Sequence, residues 1–396
     1  MSPAISIAVA HNRYRSTLPS GENAAVEQEI AALRARGHEV TEFVCSSDDL
    51  IASGRLGQLR AALRLTPGLA RLAELRSKLA ARRAQVLHVH NPWPMWTLGI
   101  FSAARSAGLA TVMTLHNHRL FATNTRLLGP AGARRPRDAA ERTQVALMAA
   151  SHGNRLTDWF YRRALSRAWR AGLLANDVQA FLAFTAFQRD TAISAGLPAD
   201  RVVVVPSRVP DVGLASELPG ESLLFAGRLT ADKGFDVVIK AWSKHRLPPL
   251  TVIGNGPLAA AALNVPGITL RGLVPANEAR QLMRHARALV VGSTVYEPGS
   301  LVTIEALAAG TPVVVPDLGS FSAEFAARGV GWAYAPGDAE ALALAVRRAW
   351  DEAPARRGRC RALYEERHLP VRALERLEQI YANLLAGRPA GAGLPI

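Results

Sequence analysis

Cysteine is nearly absent: only Cys45 and Cys360 occur in 396 residues. That excludes a disulfide framework and a thiolate metal centre, and it fits a reducing compartment. Lysine is scarce as well, with four against 43 arginines. No apolar run is long enough to span a membrane. Ile5-Ser6-Ile7-Ala8-Val9-Ala10 has no basic leader before it and reads as a first strand rather than a secretory signal. No Asp-x-Asp pair is present, so one common acidic grip on a divalent ion is missing. Neither half has a G-x-G-x-x-G after its first strand, which disfavours a nicotinamide-dependent oxidoreductase.

What is present describes a folded, basic, two-domain chain. A hydrophobic content of 49% against 20% charged residues marks a globular protein, and the length suits two ordinary domains. The net charge of +15 is uneven, because residues 1–200 hold 25 basic against 14 acidic side chains. Arg55 to Arg83 carries eight basic residues and only Glu74 in opposition. Arg134 to Arg170 carries nine against three, interleaved with Trp159, Phe160, Tyr161 and Trp169. Basic amphipathic helices suit an anionic membrane surface or an acidic partner, and equally a solvated face. No nucleic-acid recognition motif accompanies the charge, so no nucleic-acid partner is expected. The expected location is cytoplasmic, with peripheral contact on the inner face of the membrane left open.

Strand and helix patterns alternate through both halves. Ile5–Ala10, Glu39–Val44, Val86–His90, Ala110–Leu115 and Phe181–Thr185 read as strands, separated by helices such as Ala24–Arg36, Leu98–Ala107 and Ala186–Ala195. A proline-rich link then runs loosely from Pro206 to Pro219, and the pattern restarts. Ser222–Phe225, Leu250–Ile253, Ile268–Leu270, Ala288–Val291 and Pro312–Val315 are the strands of the second half. The expected organisation is residues 1–206, a linker at 207–220, a second domain at 221–370 and a final helix and tail at 371–396. Each domain is expected to be α/β, a Rossmann-like doubly wound parallel sheet.

The most informative stretch is Val295 to Gly310, V-Y-E-P-G-S-L-V-T-I-E-A-L-A-A-G, lying between two buried-strand patterns. A helix starting near Ser300 would aim its first free N–H groups into the preceding loop, where they favour an anion. Glu297 lies just outside that tip and Glu305 lies within the helix. Two carboxylates flanking a phosphate-binding helix start can grip hydroxyls on either side of the phosphate, as a sugar nucleotide would require. After Leu223-Leu224-Phe225 comes Ala226-Gly227-Arg228-Leu229-Thr230-Ala231-Asp232-Lys233-Gly234, which sets a bidentate phosphate ligand and a compact point charge at a strand end.

The run E-P-x-x-L-V-x-I-E-A-L-A-A-G-T-P-V-V, with the G-R-L-x-x-x-K-G segment, resembles the retaining GT-B glycosyltransferases of family 4, the glycogen-synthase-like E-x7-E group. That resemblance implies two Rossmann-like domains facing across a cleft, with the acceptor bound by the N-terminal domain. It implies that Arg228 and Lys233 hold the donor pyrophosphate, that Glu297 meets donor-sugar hydroxyls, and that Glu305 meets the ribose. Ser300, Leu301 and Val302 would contribute the helix start. Gly227, Gly254 and Gly21 would let backbone approach the nucleotide or the acceptor, and His116 would contact the donor sugar.

No permanent cofactor and no metal are expected. The donor would be a UDP-sugar or a GDP-sugar. The acceptor stays open between a lipid-linked glycan, a phospholipid, a polysaccharide and a small metabolite. Gly299-Ser300 replaces the family's usual Phe-Gly, and only Gly21 stands where relatives often have two glycines. Three strand patterns run into His11, His90 and His116, yet no spacing or carboxylate partner in the sequence makes a zinc site of them. An epimerase or phosphorylase on the same scaffold, and a non-catalytic polyanion- or membrane-binding protein with a vestigial cleft, are the competing readings.

Overall fold

The computed structural model describes residues 3–14, 16, 20–52, 54, 69–121, 128–129, 132–133, 155–211, 213, 220–319 and 321–394. The chain divides into two compact units. Met1–Val205 together with Leu374–Ile396 form the N-terminal unit, and Pro206–Ala373 form the C-terminal one.

The N-terminal unit is built on β1 (Ser6–Arg13), β2 (Glu39–Ser46), β3 (Val86–Asn91) and β4 (Ala110–Thr114). A small antiparallel pair follows, β5 (Leu128–Gly129) with β6 (Gly132–Ala133). β7 (Ala180–Ala183) and β8 (Val202–Val204) complete a parallel sheet of order β2-β1-β3-β4-β7-β8. The β-branched residues and leucines of β1, β3 and β4 are almost wholly buried, as expected of strands covered by helices on both faces.

The first helix runs from Gly21 to Ala35, three residues earlier than the sequence pattern indicates. The cause is local: the Ser20 hydroxyl accepts from Asn23 N–H, which caps the helix ahead of the polar residues Glu22 and Asn23. Gly21 is therefore the first residue of the helix and not part of the loop before it. The last helix, Pro370–Leu385, packs Leu377, Ile380 and Tyr381 into the N-terminal unit's core. There Glu378 is buried and receives Arg36 at 2.5 Å and His38 at 3.0 Å.

The C-terminal unit has strands β9 (Leu223–Ala226), β10 (Leu250–Ile253), β11 (Ile268–Gly272), β12 (Leu289–Val290), β13 (Val313–Pro316) and β14 (Gly331–Tyr334). All pair in parallel, in the order β11-β10-β9-β12-β13-β14. That is the 3-2-1-4-5-6 order of a doubly wound nucleotide-binding sheet, in which the strand order reverses between β9 and β12. One core packs Phe225, Phe235, Trp242 and Leu342, and a second packs Ile304, Leu307, Phe325 and Tyr364.

The link does not begin loosely. Ser207 and Val209 are buried, His368 Nδ1 lies 2.7 Å from Ser207 O, and Tyr364 Oη donates to Val209 O at 3.0 Å. Arg361 grips the Asp211 carboxylate through both guanidinium nitrogens. Pro206 to Asp211 is thus fixed within the C-terminal unit.

Of the two basic segments, residues 55–68 and 134–154 lie outside the described residues. The Leu69–Ala81 helix buries Leu75 and Leu79. The Arg155–Arg170 helix buries Ala164, Leu165 and Ala168, while Trp159 stands half exposed under Arg163. Trp169 is tied down, donating from Nε1 to Leu120 O at 2.9 Å. Among the described residues no helix is long and apolar enough to cross a membrane.

Candidate active site

Ligands of doubly wound sheets sit outside the carboxyl ends of the strands, where the strand order reverses. In the C-terminal unit that point is the gap between β9 and β12, and the polar motifs converge on it. Leaving β9, the chain turns through Arg228 to Lys233 and enters the Phe235–Lys244 helix. Leaving β12, it runs through Ser293 to Ser300 into the Leu301–Ala308 helix. The two loops are stitched together: Thr294 N–H donates to Asp232 O at 3.1 Å, and the Thr294 hydroxyl to Ala231 O at 3.1 Å.

Glycine makes this closeness possible. A Cβ on Gly234, at φ +63°, would lie 1.7 Å from Gly292 O. Gly254, which follows β10 at φ +128°, would meet Gly227 O at 1.9 Å. Both positions require the absence of a side chain, and Gly254 also adopts a backbone that L-residues avoid.

Three of the expected site residues lie here, each in an ion pair. Lys233 Nζ lies 2.6 Å from Glu297 Oε1, joining the β9 and β12 loops across the switch point. Arg228 Nη2 lies 3.0 Å from Asp232 and is largely exposed. The Arg228 side chain is half exposed, so its pair is weak and exchangeable, whereas the Lys233–Glu297 pair is part-buried.

Ser300 occupies the N-cap position of its helix, with φ −91° and ψ 96°, but its hydroxyl caps nothing. Its carbonyl accepts from Thr303 and Ile304 N–H, so helix geometry gives the N–H groups of Leu301 and Val302 no intrahelical acceptor. The Ser300 hydroxyl is shielded and has no hydrogen-bond partner, and the same is true of the Thr230 hydroxyl on the facing loop. Glu305 projects from the helix into solvent, yet the protein packed around it raises its carboxyl above the usual range, with Arg280 opposing. Thr230 escaped the sequence reading because a lone threonine in a turn carries no signal.

The N-terminal unit arranges its polar groups differently. His11 lies near the end of β1, His88 and His90 belong to β3, and His116 follows β4. His90 Nδ1 and His116 Nε2 share a hydrogen bond at 2.8 Å. His88 is engaged at both ring nitrogens, with Tyr381 Oη at 2.7 Å and Thr114 Oγ1 at 2.7 Å. Glu29 Oε1 lies 3.1 Å from His88 Nδ1 and 3.2 Å from His90 Nε2.

The sequence reading found no carboxylate for these histidines, and Glu29 corrects it. Glu29, His88 and His90 bring three potential metal-ligand atoms within 4.8 Å of one another. With both nitrogens of His88 already engaged, the arrangement is that of a buried polar network rather than an open coordination shell. Burial, with the neighbouring His90 and His11 rings, lowers the His116 pKa well below the ordinary histidine value, so His116 is neutral at pH 7. His11 is lowered to about 4, chiefly by burial and then by His90. Glu29 was detectable in principle, because it shares the helical spacing of the buried Val26, Ile30 and Leu33.

Residues 19–210 match the family model described as Glycosyltransferase Family 4, and residues 220–352 match Glycosyl transferases group 1. An exopolysaccharide phosphotransferase of Streptomyces coelicolor is 32% identical over 166 residues, covering 39% of this chain and 18% of that relative's length. The 2-deoxystreptamine glucosyltransferase of Streptomyces kanamyceticus is 27% identical over 284 residues, which is 68% of this chain and 69% of that one. Among solved structures, Anabaena HepE in complex with UDP superposes with a TM-score of 0.64 at 15% identity, over 97% of this chain and all of that one. The chain has the GT-B fold of glycosyltransferases. Its N-terminal region is of the family 4 type and its C-terminal region of the group 1 type.

Proposed function

We propose that the chain is a retaining glycosyltransferase, moving a sugar from a UDP- or GDP-sugar to an acceptor hydroxyl without a bound metal. The observation that carries this reading is the Lys233–Glu297 pair spanning the switch point, next to a helix start whose Ser300 hydroxyl has no partner. A diphosphate supplies what those groups lack. Its oxygens accept from Ser300, from the free N–H groups of Leu301 and Val302, and from the Thr230 hydroxyl. Its charge draws Lys233 from Glu297 and Arg228 from Asp232. The released Glu297 carboxylate then accepts from hydroxyls of the donor sugar, and Glu305 from those of the ribose. The UDP in the related HepE structure is a ligand of this chemical kind.

In the reaction the bond from the anomeric carbon to the diphosphate oxygen breaks, and the acceptor oxygen bonds to that carbon on the same face. The acceptor proton passes to the departing phosphate. Arg228, Lys233 and the helix start stabilise the charge that grows there, which is the largest task left to the protein. Gly227 and Gly254 keep side chains out of the nucleotide's path, and Gly21 opens the helix nearest the acceptor side. His116, being neutral, acts on the sugar by hydrogen bonding and not by charge. We place the protein in the cytoplasm, where nucleotide sugars are made.

Thermal stability measured in EDTA with UDP, GDP, UDP-sugars and GDP-sugars tests the reading. One nucleotide class should stabilise the wild type and fail to stabilise Arg228→Ala. Glu297→Ala should lose only the additional stabilisation that the sugar provides. Folded protein that responds to none of these ligands would overturn the proposal.

A further inference from the structure

The helices of the N-terminal unit form two groups of opposite electrical character. The chain moves from β1 to β2 through the Gly21–Ala35 helix and returns past β1 to β3 through the Leu69–Ala81 helix. Right-handed crossovers that run in opposite directions lie on opposite faces of a sheet. The first face holds Gly21–Ala35 and Pro370–Leu385, which meet at His88 through Glu29 and Tyr381. The second holds a contiguous run. Leu69–Ala81 packs on Gly99–Ser106, that helix on Leu173–Asp177, and that one on Arg155–Arg170.

Charge divides the same way. The two helices of the first face carry five acidic and three basic residues, so their charges nearly cancel. The four helices of the second carry nine basic and three acidic residues, which puts the excess on one side. Pairing follows suit. On the first side Arg34 meets Glu42 and Arg36 meets Glu378. On the second, among the described residues, Arg76, Arg105, Arg163, Arg167 and Arg170 are exposed and stand in no ion pair. Glu74, the exposed carboxylate of the Leu69–Ala81 helix, is already committed to Lys78.

The Arg155–Arg170 helix carries the pattern furthest. Trp159, Arg163, Arg167 and Arg170 fall on a single helical stripe, opposite the buried Ala164, Leu165 and Ala168. Trp159 is 52% exposed, with the Arg163 guanidinium 5.6 Å from its ring centroid. An indole has an apolar body and a polar N–H, and beside arginines it suits the boundary between water and lipid.

We propose that this basic face docks on an anionic membrane surface, with the Arg155–Arg170 helix lying along it and Trp159 at the level of the headgroups. Lipid phosphates accept from the guanidinium groups that the protein leaves unpaired, while the arginine stems and the indole cover apolar surface beneath them. An acidic protein would need carboxylates placed to match each arginine, whereas a lipid surface supplies negative charge wherever one falls. Charge and aromatic exposure carry this docking face, whether or not the chain transfers a sugar.

The test is sedimentation of the full-length protein with phosphatidylcholine vesicles, with and without about one-third phosphatidylglycerol. Protein should pellet with the anionic vesicles only, and should be released in about 0.5 M NaCl, where charges are screened within a few ångströms. The combined variant Arg163→Gln, Arg167→Gln, Arg170→Gln should lower the partition coefficient about a hundredfold, at about fivefold for each cation removed. The same change at three exposed cations of the C-terminal unit, Lys240, Lys244 and Arg347, should alter it by no more than about twofold. Circular dichroism and Tm establish that each variant is folded. Tryptophan emission should move to shorter wavelength on binding, and Trp159→Phe should abolish that movement. Equal losses in the two combined variants, or an emission shift that survives Trp159→Phe, overturn this face as the site of docking. Folded wild type that stays in solution with anionic vesicles overturns the proposal outright. Binding to duplex DNA or heparin as tight as to anionic vesicles makes the face a general polyanion surface and overturns the membrane assignment.

Discussion

The two sheets treat the point where strand order reverses in opposite ways. In the C-terminal unit the gap between β9 and β12 is edged by charges on loops. Lys233 faces Glu297, Arg228 faces Asp232, and each pair is open to water. In the N-terminal unit the gap between β1 and β3 is filled by histidine rings in the core, with His88 and His90 around Glu29 and Tyr381 closing the network. Exposed ion pairs are worth little to stability and can exchange partners, which suits a site that must bind and release a multiply charged ligand. A buried network has no such freedom. It suits holding His116 at a fixed angle, and it makes the N-terminal unit the place where pH acts on the fold.

The comparison is sharpened most by removing the loop cations. Arg228→Ala or Lys233→Ala should lower kcat/KM for the sugar nucleotide about 10²–10³-fold, the usual loss when one stabiliser of developing charge is deleted. Unfolding free energy should change by less than about 1 kcal/mol in Arg228→Ala, whose side chain is half exposed, and by no more than about 2 kcal/mol in Lys233→Ala, whose pair is part-buried. Initial rates set beside denaturant midpoints check both halves of the claim, and a stability loss equal to the activity loss would make these residues structural. Next comes Gly254→Ala, whose Cβ would lie 1.9 Å from Gly227 O at φ +128°. It should cost about 3–4 kcal/mol by denaturant unfolding, since neither strand end can move aside cheaply. A loss below about 1 kcal/mol would show that the loop does not need this close approach.

Legibility in the sequence followed the same divide. The β9, β10, β12 and β13 strands stand within about a residue of where hydrophobic runs placed them, because buried parallel strands are continuous apolar segments. β14 was not read, since Gly331-Trp332-Ala333-Tyr334 is short and follows closely on the Ser322–Ala327 helix. The Lys233–Glu297 meeting was implicit in motifs that both follow strands flanking the switch point. The N-terminal network was not legible. Glu29 and Tyr381 belong to helices at opposite ends of the chain, and Thr114 looks like any strand residue. Periodicity assigns each a face but cannot say that three faces converge on one histidine. For the same reason the partnerless N–H groups of Trp93 and Arg119 emerge only from the folded chain.

The N-terminal unit's response to pH carries the contrast further. His11 titrates near 4 in the folded protein and near 6.5 when unfolded, because burial and the His90 ring disfavour its charged form. The unfolded chain binds the extra proton between those values. The stabilisation is therefore complete above pH 6.5 and is lost as pH falls toward 4, by up to about 3 kcal/mol. Unfolding free energies at pH 7.5 and 4.5 should show this fall, and His11→Asn should flatten it. An unchanged slope in His11→Asn would assign the loss to other groups.

The smallest effect has the opposite sign. Burial pushes the Glu22 carboxyl up to about 7 from its ordinary 4.5, although Arg119 and the hydrogen bonds from Tyr14 and Asn117 pull it back. Here the folded chain keeps a proton that the unfolded chain releases, so stability declines as pH rises from 4.5 to 7. Glu22→Gln has no charge to bury. Its Tm should match the wild type at pH 5 and exceed it by a few degrees at pH 8. A variant that is less stable than wild type at pH 8 would mean that Arg119, Tyr14 and Asn117 already satisfy the ionised Glu22 carboxylate.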